Sequence, residues 1–116
     1  MLERAVYDTM SFCADGKCAI IYTTLEMFKA LNIGDDEMEG LASIPRQIEG
    51  VLVGITMREK EGGFFKVSVR TNDNINASDF CGLFGGGGHP AAGGCTIEGA
   101  LEEVKAKLKK AVVKFI

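Results

Sequence analysis

Residues 51–71 read VLVGITMREKEGGFFKVSVRT, and this stretch decides the fold. In its first half Val51, Val53, Ile55 and Met57 alternate with Leu52, Gly54, Thr56 and Arg58. In its second half Phe65, Val67 and Val69 alternate with Lys66, Ser68 and Arg70. A period of two sends successive side chains to opposite faces of a strand. Glu61-Gly62-Gly63 supplies a turn between the halves. The spacing therefore predicts a β-hairpin with one apolar face. It also carries Arg70 and Ser68 away from the core, where they can point at a site.

Working outward, residues 17–23 (KCAIIYT) are short and rich in β-formers, as a buried strand is. Thr24 is a fitting N-cap for a helix through Leu25, Phe28, Ala30 and Leu31, closed by Asn32-Ile33-Gly34. Asp35-Asp36 in front of residues 37–42 suits the positive end of a second helix, which Pro45 disturbs or ends. Residues 1–15 are mixed: Leu2, Val6, Met10 and Cys13 are spaced roughly as on one helical face, and Asp15-Gly16 breaks the run.

Beyond the hairpin, residues 72–76 form a polar loop and 77–84 a short helix with an Asx-type start. Residues 85–94 hold six of the fifteen glycines, and 95–97 read as a short strand. The last stretch sets Leu101, Val104, Leu108, Ala111, Val112 and Phe115 on one helical face, with Glu103 and Lys107 paired at i, i+4 opposite. Lys105, Lys107, Lys109, Lys110 and Lys114 read as its solvated side. The sum is a single α/β (α+β) domain. About four to five strands form a mostly mixed sheet, with packed helices and a C-terminal amphipathic helix.

A length of 116 residues is about one domain, and 47% apolar with 25% charged residues is the balance of a globular chain, not a disordered one. No apolar run approaches the ~20 residues of a membrane span and the start lacks a signal-peptide layout, so a soluble cytoplasmic protein is expected. One histidine, His89, is too few for a His-rich metal site. A net charge of −3 argues against tracking long nucleic-acid backbones. Cys13, Cys18, Cys81 and Cys95 show no C-x-x-C spacing and read as reduced, core-packing thiols.

The segment from Phe84 to Ile97, FGGGGHPAAGGCTI, carries the chemistry. Consecutive glycines clear side chains from backbone N–H groups that face a ligand, and a neighbouring imidazole can bond a phosphate or a base edge. It is not a P-loop, because no Lys-Ser/Thr follows the glycines. No G-x-G-x-x-G dinucleotide layout or G-x-S-x-G elbow is present.

These residues resemble a known family. Gly86-Gly87-Gly88-His89, then Ala92, then Gly94-Cys95-Thr96-Ile97, is similar to the signature of the DHHA1 domain, the C-terminal substrate-binding half of DHH phosphoesterases. Lys66-Val67-Ser68-Val69-Arg70-Thr71 resembles the family's K-V-S-x-R-S strand, and Ile44-Pro45-Arg46-Gln47-Ile48-Glu49-Gly50-Val51 the stretch before the preceding strand. The group it most resembles is the oligoribonuclease and 3′-phosphoadenosine-phosphate phosphatase type. The likeness covers about residues 17–115, with Thr71 in place of serine and Gly93 in place of alanine or serine, a change expected to matter little sterically.

The resemblance implies that Arg70, Gly86, Gly87, Gly88 and His89, with Ser68 and Ala92 beside them, contact the nucleotide end of a substrate. It implies manganese in a catalytic DHH half that these residues lack, and no cofactor in this one. Residues 1–16 are then an N-terminal remnant of an interdomain linker or helix, and 17–116 the nucleotide-binding domain. The expected partners are a short oligonucleotide or nucleotide phosphate and the catalytic DHH domain, with no membrane and a homodimer left open. The parent would be a hydrolase, an exonuclease acting on short oligonucleotides or a phosphatase. Arg46 reads as a surface ion pair. Two other readings stand beside this one: an RNA- or cyclic-dinucleotide-binding regulatory module, and a stand-alone small phosphatase using His89.

Overall fold

The computed structural model describes residues 2–31, 44–72 and 75–116. Its elements are α1 (Leu2–Tyr7), β1 (Ser11–Cys13), β2 (Cys18–Thr23), α2 (Leu25–Leu31), a 3₁₀ turn (Pro45–Gln47), β3 (Val53–Lys60), β4 (Phe64–Thr71), α3 (Ala77–Gly82), β5 (Gly87–His89), β6 (Ala92–Glu98) and α4 (Leu101–Val112). The expectations for residues 32–43, a helix closure and a second helix, lie outside the described residues.

One six-stranded sheet runs β1-β2-β3-β4-β6-β5. Only β2 and β3 pair in parallel, so the sheet is mixed, as the sequence predicts. The hairpin is β3 and β4 in the register Val53↔Thr71 to Lys60↔Phe64. Gly62 (φ 107°) and Gly63 (φ 80°) turn it through a backbone region that other residues rarely enter. Six strands exceed the expected four to five, and the two that the sequence did not mark are three-residue edge strands. Ser11–Cys13, where helical spacing suggested a longer first helix, folds back on Cys18–Ile20 through Ala14, Asp15 and Gly16, all at positive φ. Gly87–His89 lies inside the glycine run and pairs with a β6 that starts three residues earlier than expected.

The core lies on one face of the sheet. Ile20, Ile55, Met57, Phe65, Val67 and Val69 meet Phe80 of α3 and Val104, Leu108 and Val112 of α4. Phe80 packs against Phe84 and Phe115 at centroid distances of 6.0 and 5.4 Å. Burying side chains of this size contributes about 1.5–3 kcal/mol each against the chain entropy lost on ordering them. The helix α4 buries the stripe the sequence marks, and Glu103 accepts a hydrogen bond from the Ala100 N–H (3.2 Å), half of a capping box. Its lysines are not uniformly solvated, since Lys105 Nζ sits 5.3 Å from the centre of the Tyr22 ring.

The other face is covered only in part. Val6 of α1 and Ile21 of β2 form a second small cluster, with Met27, Phe28 and Ile44 against it. The Thr24 hydroxyl caps α2 by accepting from the Met27 N–H (3.2 Å), and Glu59 accepts from the Leu25 N–H (2.8 Å), tying α2 to β3. Over β4, β6 and β5 the face is open, with Lys66, Gly94, Thr96 and His89 exposed. No helix among the described residues is long and apolar enough to cross a membrane.

Candidate functional site

Directly opposed residues in neighbouring strands point to the same face of a sheet. The register therefore stacks the open face in rows. Arg70 of β4 pairs with Ala92 of β6, and Ala92 with His89 of β5. Two residues along, Ser68 pairs with Gly94, and Gly94 with Gly87. Next comes Lys66 opposite Thr96. Strands are spaced by about 4.8 Å, so Arg70 and His89 stand roughly 10 Å apart with only a methyl group between them. A guanidinium and an imidazole so placed can close on one anion from both sides.

The residues singled out by sequence, Arg70, Ser68, Gly87, His89 and Ala92, thus fall in two adjacent rows of one face. Gly86 and Gly88, also singled out by sequence, have a packing reason to be glycine whatever they contact. A Cβ on Gly88 would lie 2.7 Å from the Ala92 carbonyl oxygen, and one on Gly86 2.7 Å from the Cys95 Cβ. These two glycines are required by close strand approach. So is Gly93, contrary to the expectation that a small side chain there changes little. A Cβ would meet the Ala77 oxygen at 2.9 Å and Cys81 Sγ at 3.0 Å, because α3 packs directly on this strand. A Cβ on Gly87 would find nothing nearer than Ser78 Oγ at 3.7 Å, and one on Gly94 only the Val67 oxygen at 3.5 Å. The fold leaves those two positions open. As the terminal strand, β5 also leaves backbone groups along its outer edge without a strand partner.

The turn that carries His89 is anchored from below. Thr71 donates its N–H to the Ala91 oxygen (3.0 Å), and its buried hydroxyl bonds the Ile75 (2.7 Å) and Pro90 (3.2 Å) oxygens. The Ala77 N–H donates to the Pro90 oxygen (2.7 Å), and Asn76 caps α3 by accepting from the Asp79 N–H (3.0 Å). Hence the hydroxyl of the K-V-S-x-R-T strand is structural. It pins the Pro90–Ala91 turn and does not face the open side.

Beside the two rows lies a groove of about 440 Å³, bounded by Lys66, Ser68 and Thr96 on the sheet and by Phe84, Gly85 and Gly86 on the incoming segment. Lys66, Thr96 and Phe84 were not among the residues that sequence reasoning selected. The signal existed for Lys66, which shares the alternation of Ser68 and Arg70. Thr96 needed the β4–β6 register.

The four cysteines are unpaired thiols, three of them buried and Cys13 half-buried against the core. The Cys95 thiol donates to Cys81 and holds it below the ordinary thiol value, with burial opposing. That bond, then burial, pushes Cys95 up. Burial, then the bond to Cys13, raises Cys18. Among the described residues no group of three or more His, Cys, Asp and Glu side chains could hold a metal ion.

With this geometry in view, comparison with known proteins settles the class. Residues 17–116 match the model of the DHHA1 domain. The chain belongs to the DHHA1 family. Over 86 residues it is 30% identical to the bifunctional oligoribonuclease and PAP phosphatase NrnA of Thermus thermophilus, a match covering 66% of this chain and 26% of that protein. An exopolyphosphatase-related protein from Bacteroides fragilis superposes with a TM-score of 0.90 at 27% identity, over 98% of this chain and 34% of that one. The C-Ala domain of alanyl-tRNA synthetase from Aquifex aeolicus shares the fold, with a TM-score of 0.58 at 18% identity, over 88% of this chain and 96% of that one. This chain thus spans about a quarter of the curated relative and a third of the Bacteroides protein.

Proposed function

We propose that this chain is the substrate-binding domain of a DHH phosphoesterase, and that its open face grips the phosphate and base of a short oligoribonucleotide or of 3′-phosphoadenosine phosphate. The observation that supports this is the Arg70–Ala92–His89 row, in which two side chains chemically able to bind phosphate flank a residue too small to block them. Arg70 supplies a bidentate, permanently charged fork, and His89 a second donor. Ser68 adds a hydroxyl. Gly87 lets the ligand approach the β5 backbone, and Gly86 and Gly88 keep that strand close to β6. Hydrolysis, and the manganese it uses in this family, are assigned to the separate catalytic half.

Adenosine 3′,5′-bisphosphate and the 5′-phosphorylated dinucleotide pApA, titrated into the 116-residue chain by calorimetry, should bind weakly, since half the pocket is elsewhere. Arg70→Ala or His89→Ala should cost about 2 kcal/mol, roughly 30-fold in Kd. Unchanged affinity in both variants sinks the reading. Tight binding of tRNA or of a cyclic dinucleotide, with neither linear probe preferred, would replace it by the regulatory-module reading.

A further inference from the structure

The Arg70 row accounts for one phosphate and leaves the adjoining groove without a role. Lys66 is exposed on the same face, and its cross-strand partner Thr96 is exposed beside it. Between Lys66 and Arg70 stands Ser68, opposite the bare backbone of Gly94. Three residues of strand lie between the two cations, about 13 Å between their Cα atoms. Both side chains are long and flexible and can lean toward each other across the Ser68 row. Phe84 and Gly85–Gly86 wall the groove on its far side, an aromatic ring next to backbone with no side chain in the way.

We propose that Lys66, with the Ser68 and Thr96 hydroxyls, forms a second anion subsite, so that this domain takes a ligand carrying two phosphates and holds both. This rests on the reading of Arg70 and His89 as the first subsite. Lysine suits the role as a point charge that needs no fixed approach angle, and the hydroxyls donate to phosphate oxygens. The sugar between the phosphates lies over Gly94, where any larger residue would fill the floor. The subsite is also bounded. In the next row Phe64 pairs with Glu98, whose carboxylate on the same face repels an anion placed beyond Lys66. The second phosphate has two chemical sources, the next phosphodiester of a linear oligonucleotide or the other phosphate of a nucleoside bisphosphate.

Three probes separate them: adenosine 5′-monophosphate, adenosine 3′,5′-bisphosphate and pApA, each titrated calorimetrically into the wild-type chain and into Lys66→Ala. At least one two-phosphate probe should bind about tenfold tighter than the monophosphate. Lys66→Ala should erase most of that difference, and Lys66→Arg should restore it. The probe that shows the difference identifies the source. Equal wild-type affinity for all three probes overturns the proposal, as does an equal loss for all three in Lys66→Ala, which would mark a general charge effect. If Arg70→Ala leaves every affinity unchanged, the failure belongs to the first subsite instead.

Discussion

At the scale of single residues, the glycine run divides into two groups that the sequence cannot distinguish. Gly86, Gly88 and Gly93 are glycine because a Cβ would strike a neighbouring strand or α3 well inside van der Waals contact. Gly87 and Gly94 are under no such constraint. The distinction depends on what lies across the sheet, which no local pattern encodes. It yields opposite expectations for one chemical change. Gly93→Ala should destabilise the domain by about 1–3 kcal/mol through overpacking, visible as a lower thermal midpoint. Gly87→Ala should leave the midpoint nearly unchanged and weaken nucleotide binding. A Gly87→Ala variant that binds as the wild type does would remove this glycine from the site.

At the scale of elements, legibility follows length and periodicity. The β3–β4 hairpin and α4 announce themselves because eight alternating residues in each strand, or twelve residues of helix, repeat one pattern several times. The edge strands β1 and β5 have three residues each. Ser11–Cys13 follows Val6 and Met10 at a spacing that also suits a helix. Gly-Gly-His has little intrinsic preference for a strand and becomes one only because β6 offers a ladder. Thr71 illustrates the same limit. Its hydroxyl was noticed as a substitute for serine, yet its partners, the Ile75 and Pro90 oxygens, are set by the meeting of β4 with the Pro90–Ala91 turn. Thr71→Val keeps the shape and leaves both carbonyls without this donor. It should cost about 1–3 kcal/mol, read by chemical denaturation, and should broaden the His89 resonances in NMR as the turn loosens. Thr71→Ser, which keeps the hydroxyl, should lose less.

At the scale of the whole molecule, charge is distributed against its average. The chain carries a net −3, yet on β3 to β6 the face of the Arg70 row holds Arg58, Lys60, Lys66 and Arg70 against the single carboxylate Glu98. In the proposed site only Arg70 and Lys66 of these cations would meet the phosphates, so binding should depend only weakly on salt. With two phosphate-contacting cations the slope of log K against log salt should be about −1.4 for a single-stranded ligand, measured between 50 and 200 mM. A slope of −4 or steeper would require a long basic track and contradict a site built for a short ligand. The sequence by itself determined the hairpin, the closing helix, the mixed α/β class and the family, because period, turn chemistry and the glycine–histidine signature are local. It also put Arg70 and Ser68 on the non-core side. Only the tertiary structure decided that His89 stands in line with Arg70, that Thr96 joins Lys66, and which glycines serve the fold. Those facts are matters of register between strands far apart in the chain, fixed by the packing of α3 and α4 on the opposite face.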